Sequence, residues 1–220
     1  ESVPVPARLR LDGAVLELVL LGLVVHHEGA DDAVRLDEDD LVAVLDAADV
    51  DAAALVGNSM GGRVAIDFAL THPKRVDAVV LAATNVGGFE ETEEEAKAYA
   101  DLDREIEQAV EAGDAERAME LELSVWATAL GTEDPAGALI RRIAFDNLHV
   151  ITMDESGAAR LDDAFHRLPE IDVPALVLPA DHDPPVFRRL SREVAARIPN
   201  ARLVEISDTD HVISVRRPAE

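Results

Sequence analysis

Residues Ala54 to Leu70 run "ALVGNSMGGRVAIDFAL". An apolar stretch ends in the small, polar turn Gly57-Asn58-Ser59-Met60-Gly61-Gly62 and resumes at once with helical spacing. Ser59 stands at the centre of a Gly-x-Ser-x-Gly pattern between a predicted strand and a predicted helix. Small neighbours let such a turn tighten, project the serine outward and aim the amide of Met60 at a reaction centre. A serine hydroxyl is a weak nucleophile at its free pKa. It needs a base within hydrogen-bond reach, an acid that orients the base, and donors for a developing oxyanion. The alternative is that Ser59 does no more than cap the helix.

The neighbouring segments set the fold class. "DEDDLVAVLDAADV", Asp37 to Val50, places Leu41, Val42, Leu45 and Ala48 on one stripe behind an acidic first turn, which predicts a helix. "AAALVG" and "VDAVVLAA" are short apolar runs on either side of the helical "GRVAIDFALTHP", giving strand, helix and strand within about 30 residues, the spacing of a parallel βαβ unit. Further on, "VPALVLPA" (Val173 to Ala180) and "ARLVEI" (Ala201 to Ile206) predict two more strands around the helix "PPVFRRLSREVAARI". The fold class is α/β with a mostly parallel, doubly wound sheet. From Glu90 to about Leu168 the texture changes to acidic, helix-forming sequence with a break at Gly113-Asp114. The expected organisation is a sheet core of residues 1–86 and 169–220 with a helical lid, or cap domain, inserted at 87–168.

Composition narrows the function classes. With 220 residues, 48% of them hydrophobic, the chain can bury a sizeable core. Acidic residues outnumber basic ones 45 to 20, a formal net charge of -25, which disfavours nucleic acid and anionic membrane as partners. Without cysteine there is no disulfide framework, thiolate nucleophile or Cys-ligated zinc. The opening "ESVPVPARLR" lacks a signal-peptide pattern, and no apolar run reaches the roughly 18 residues of a membrane span. The expected localisation is cytoplasmic, and a homo-oligomer stays open.

Candidate partners for Ser59 follow predicted strands. "LVLPADHDPP" puts Asp181 and Asp183 in one loop and "VEISDTDH" puts His211 in the next, so both loops open at the sheet edge that carries Ser59. The order Ser, Asp, His is that of nucleophile-elbow hydrolases. An exposed loop histidine and a helix-capping aspartate are the plainer alternatives. His26-His27-Glu28 with Asp31-Asp32 is metal-like in residue type only and lacks an i, i+4 histidine pair, so no metal site is assigned. Asp181-His182-Asp183 could also attract a metal, and no metal site is assigned there either. Trp126 is placed either in a substrate pocket under the lid or in the core, with Leu123 and Leu130 on the same stripe.

The segment "LVGNSMGGRVAIDFALTHPKRVDAVVLAAT" resembles the nucleophile segment of the α/β-hydrolase superfamily. "RLPEIDVPALVLPADHDPPVFRRLSREVAARIPNARLVEISDTDH" resembles its acid and base segment. "LELSVWATAL", Leu121 to Leu130, is similar to the helical lid of small bacterial members. The resemblance implies a catalytic triad of Ser59, Asp183 and His211, with Asp181 second to Asp183. It implies an oxyanion hole of Met60 and, as the nearest match for the second donor, Leu23. It implies no cofactor. The family's His-Gly loop and Asp-x-x-Gly-x-Gly loop are not intact before Ser59, and its usual closing helix is not seen after His211. The expected function is hydrolysis of a small ester, lactone or related carbonyl substrate through an acyl-enzyme on Ser59, as an esterase would perform it. The same triad serves carbon-carbon hydrolases and acyltransferases. A catalytically silent binding protein is the expectation from another class.

Overall fold

The computed structural model describes residues 18–20, 24–25, 34–35, 38–128, 134–152 and 163–218. Five parallel strands form the main sheet: β1 (Leu18–Leu20), β4 (Ala53–Asn58), β5 (Val76–Ala82), β6 (Ala175–Leu178) and β7 (Ala201–Leu203), side by side in that order. Two short strands, β2 (Val24–Val25) and β3 (Val34–Arg35), pair antiparallel apart from it.

Helix α1 (Glu38–Ala47) buries Leu41 and Leu45, the centre of the predicted stripe. Helix α2 (Met60–Thr71) crosses between β4 and β5 and buries nine of its twelve residues, Ile66 and Phe68 among them. Both strands that flank α2 have side chains packed on two faces, which is why they read as near-continuous apolar runs. Leu55, Ile66, Phe68, Val79, Leu81 and Val177 form the centre of the core.

The strands before the Asp183 and His211 loops are shorter than the sequence predicts, four and three residues. Pro179 has no N–H for the ladder, so β6 ends before it. Pairing then continues irregularly: Val204 N–H donates to Val177 O at 2.9 Å, Ile206 N–H to Pro179 O at 2.9 Å, and Ala180 bridges Ile206. The helix between them, α7 (Pro185–Arg197), buries Val186, Leu190 and Val194.

Between β5 and β6 lie helices and no strand among the described residues. Helix α3 (Glu93–Glu111) begins with a reciprocal cap, Glu95 N–H to Thr92 Oγ1 at 3.2 Å and Thr92 N–H to Glu95 Oε2 at 2.9 Å. Gly113, at φ 74°, breaks the chain where the sequence places the break, and Asp114 caps α4 (Ala115–Trp126). Asp134 caps α5 (Pro135–Asp146). These helices bury little: Ala109 from α3, Ala118 and Leu121 from α4, Gly137 and Ile140 from α5. The entry and exit of the segment meet where Phe165 N–H donates to Gly87 O at 2.8 Å. The short helix α6 (Ala164–Arg167) and Leu168 pack into the main core.

Attachment of α3 to the sheet domain is ionic. Arg189 of α7 holds Glu95 through Nη2–Oε2 at 2.6 Å and Nε–Oε1 at 2.9 Å, donates to Glu90 O at 3.0 Å, and lies over the Phe89 ring at 4.3 Å. The Arg189 guanidinium and the Thr92 amide hold the Glu95 carboxyl at about 2, well under its ordinary 4.5, against the opposing effect of burial. A lowered folded pKa stabilises the fold at pH above the unfolded value, and that contribution disappears as pH falls from about 4.5 to about 2. Wild type is therefore expected to exceed Glu95→Gln by about 1 kcal/mol at pH 6. The difference should shrink steadily below pH 4.5 in urea unfolding curves; a difference independent of pH would exclude the link.

Candidate active site

The sharp turn after β4 is fixed by packing. A Cβ on Gly57 would fall 2.5 Å from Gly62 N and closer still to the Gly61 carbonyl. One on Gly62 would fall 2.8 Å from Thr84 Cβ and closer to its Oγ1. Strand β4, helix α2 and the segment after β5 thus approach at distances that only glycine allows. Ser59 takes up the bend with φ 54° and ψ -114°, a backbone conformation that a serine adopts only when its surroundings hold it. They do: its N–H donates to Ala82 O at 2.9 Å, and its carbonyl accepts from Asn85 N–H at 3.1 Å and Arg63 N–H at 3.2 Å.

Ser59 occupies the N-cap position of α2, yet its side chain makes no cap hydrogen bond. Met60 is the first residue of α2. Its N–H belongs to the first turn, whose amides have no intrahelical acceptor and carry the positive end of the helix dipole. Leu23 lies outside the described residues, as do Leu130 and the His26-His27-Glu28 group.

The two loops that follow β6 and β7 come together as a unit. Asp183 is buried, with its carboxyl fully inside, and its Oδ1 accepts from His211 Nδ1 at 2.8 Å. Burying a carboxylate is costly unless a partner compensates, and the imidazole is that partner. The bond also leaves Nε2 as the outward nitrogen of the ring. Asp183 does not cap α7, whose N-cap position is Pro184. Asp181 instead pins the loop before His211, its two oxygens accepting from Asp208 N–H at 2.9 Å and Thr209 N–H at 3.1 Å. Burial raises the Asp181 pKa, but these two amides and the nearby His182 outweigh it and hold the carboxyl below its ordinary range. Asp181, His182 and Asp208 offer ligand atoms within 4.8 Å of one another, but both Asp181 oxygens are already engaged by the loop.

His211 lies beside the Ser59 turn. Asn58, the residue before Ser59, donates from Nδ2 to His211 O at 3.1 Å. Aromatic rings cover the imidazole: Trp126, at the end of α4, at 4.7 Å between centroids, and Phe187 of α7 at 5.0 Å. The two pack edge to face at 5.3 Å, and Trp126 Nε1 donates to Glu122 Oε2 at 2.6 Å. Trp126 is half-buried against the histidine and absent from the main core cluster. A cavity of about 300 Å³ opens between α4 and α5, lined among others by Leu123, Ser124, Ala127, Ile140 and the ion-paired Glu120 and Arg141.

Asn58, Phe187, Asp210 and Arg216 are site neighbours that sequence reasoning misses. Phe187 had a weak signal as the apolar residue one turn after Asp183. Asn58 acts across a long sequence separation, and Asp210 and Arg216 form a pair six positions apart that no motif marks.

Similarity to known proteins agrees with this fold. A protein of Bacillus subtilis (strain 168) named as a candidate 2-succinyl-6-hydroxy-2,4-cyclohexadiene-1-carboxylate synthase is 26% identical over 193 residues, 81% of this chain and 66% of that protein. The 2-hydroxy-6-oxononadienedioate/2-hydroxy-6-oxononatrienedioate hydrolase of Paraburkholderia phymatum is 50% identical over 48 residues, 22% of this chain and 17% of that one. The chain thus spans less than two thirds of the length of these relatives. Among solved structures, Est816, described as an N-acyl homoserine lactone degrading enzyme, superposes with a TM-score of 0.61 at 26% identity, covering 83% of this chain and 69% of its own. Residues 29–218 match the family defined by the alpha/beta hydrolase fold, and the chain belongs to that family.

Proposed function

We propose that the protein is a serine hydrolase of a small ester, lactone or related carbonyl substrate. The observation that carries this is the 2.8 Å bond between Asp183 and His211 set beside a serine with positive φ and no capping bond. In the first step Ser59 Oγ bonds to the substrate carbonyl carbon while its proton passes to His211 Nε2. The Met60 amide stabilises the oxyanion, and Asp183 keeps the imidazole in its tautomer and orientation. His211 then gives that proton to the leaving oxygen as its bond to carbon breaks. Water then bonds to the acyl carbon as His211 takes its proton, and the Ser59 Oγ–carbon bond breaks as His211 returns that proton to Oγ, releasing the acid. Ester and lactone substrates suit this sequence directly, and carbon-carbon cleavage or acyl transfer would use the same groups with another leaving group or acceptor.

The helical segment at residues 87–168 acts as a lid, and Trp126 contacts the substrate from it. Its helices bury few apolar side chains, the mark of a segment of low local stability. Among the described residues no helix is long and apolar enough to cross a membrane.

The cover of Trp126 and Phe187 over His211 favours one other reading, a silent binding protein whose imidazole stays closed off. Incubation with a fluorophosphonate probe decides. Covalent labelling at Ser59, located by peptide mass mapping, is the expected result. A folded sample that stays unlabelled would overturn the hydrolase in favour of the binding protein.

A further inference from the structure

The chemistry above does not use Arg216, in helix α8 (Ile213–Arg216), although its side chain is fully buried and stands at the centre of a network. Nε and Nη2 bond Asp210 Oδ2 at 3.0 and 2.7 Å, and the Asp210 side chain is also fully buried. Nη1 bonds Asp134 Oδ2 at 3.0 Å, and Nη2 reaches Ala127 O at 3.4 Å. One guanidinium therefore meets two carboxylates and a carbonyl from three parts of the chain.

Two of these partners lead back to His211. Asp210 precedes it, and Asp210 Oδ1 accepts from Val212 N–H at 3.2 Å. With the Asn58 side chain on the His211 carbonyl, the backbone is held on both sides of the imidazole. Ala127 is the C-cap of α4, next to the Trp126 indole that covers His211, and Asp134 is the N-cap of α5. Arg216 thus grips the histidine loop with one edge and the junction of two lid helices with the other. A buried ion pair is weak support for stability alone, because desolvation offsets most of the attraction and apolar replacements often do as well. The planar fork of arginine does, however, fix directions that a lysine ammonium cannot.

We infer that Arg216 is a positioning residue that sets His211 and the lid indole in register. Its Asp210 arm governs turnover, and its Asp134 and Ala127 arm governs which acyl groups are accepted. The inference rests on the hydrolase reading for its kinetic readout, and its spectroscopic readout is independent of that reading.

The test uses Arg216→Lys, which keeps charge and loses the fork, and Asp134→Ser, which keeps a capping oxygen and loses the carboxylate arm. Arg216→Lys should lower kcat by about 100-fold for long and short substrates alike, the scale of a misplacement near 1 Å. Asp134→Ser should leave kcat and fluorophosphonate labelling within about threefold while raising KM for long acyl chains about tenfold, one methylene-scale step or two in a pocket. Trp126 is the only tryptophan, so its emission maximum and acrylamide quenching report its contact with His211. Both variants should shift emission to the red and quench more readily. If Arg216→Lys lowers the melting temperature but keeps wild-type kcat and emission per folded molecule, Arg216 is merely structural and the inference is overturned. If Arg216→Lys does not fold, unchanged emission and unchanged chain-length ranking in Asp134→Ser overturn it. If wild type itself fails to label, the hydrolase reading falls, and wild-type emission in Arg216→Lys and Asp134→Ser would still overturn the register.

Discussion

Ser59→Ala is expected to lose at least about a thousandfold in turnover of short-chain aryl esters and all covalent fluorophosphonate labelling, the scale seen when a triad nucleophile is removed. The fold should be unaffected. The Ser59 hydroxyl makes no cap bond, and the turn is held by the Ser59 N–H and carbonyl, which alanine keeps. The positive φ is as unfavourable for alanine as for serine, so the substitution adds little strain and should change stability by no more than about 0.5 kcal/mol. Chromogenic ester assays and circular dichroism on the same samples separate the two. Wild-type turnover in the mutant would remove Ser59 from the mechanism.

The two aspartates of the "ADHD" loop should part company almost as widely. Asp183→Asn is expected to lower kcat by about four orders of magnitude, because an amide facing His211 Nδ1 stabilises the wrong imidazole tautomer. Asp181→Asn should lower it no more than about tenfold, as a change that loosens the loop without touching the ring. Its effect should lie in stability instead. The Asp181 carboxyl is held below its ordinary range, so it supports the fold at pH above the usual aspartate value near 3.9, and that support is lost as pH falls through the lowered value. Urea curves for Asp181→Asn should therefore lie below wild type at pH 6 and converge with it in acid. The opposite ranking of activities would transfer the orienting role to Asp181.

Much of this was legible because the informative residues are local. The Ser59 turn announces itself through glycines, and the structure supplies their reason: Gly57 touches the helix backbone and Gly62 touches Thr84. Strands β4 and β5 were readable because burial on both faces leaves a near-continuous apolar run. The choice of Asp183 over Asp181 came from the family resemblance alone; in the structure Asp183 bonds the His211 ring and Asp181 bonds the backbone of the loop before it. Strand ends were less legible, because Pro179 halts the ladder while the apolar pattern runs on. The least legible part is what surrounds His211. Asn58 reaches it across 153 positions and Arg216 reaches Asp134 across 82, separations over which a single sequence carries no periodic signal. The acidic helices between β5 and β6 read as solvated faces, which most of α3 is, and that reading concealed Glu95, the one residue of its first turn fastened by Arg189.

The way α3 is fastened has a consequence for the medium in which the protein works. The sheet domain is held by apolar burial, which salts excluded from protein surfaces strengthen, and a chain of formal charge -25 gains further as electrolyte screens its self-repulsion. The Glu95–Arg189 contact sits near the surface, where the same electrolyte weakens attraction between opposite charges. Rising ionic strength therefore tightens the body of the molecule while it slackens this outer tether of α3, and leaves the fully buried Asp210–Arg216 pair almost untouched. Global robustness and the hold on α3 accordingly respond to salinity in opposite directions.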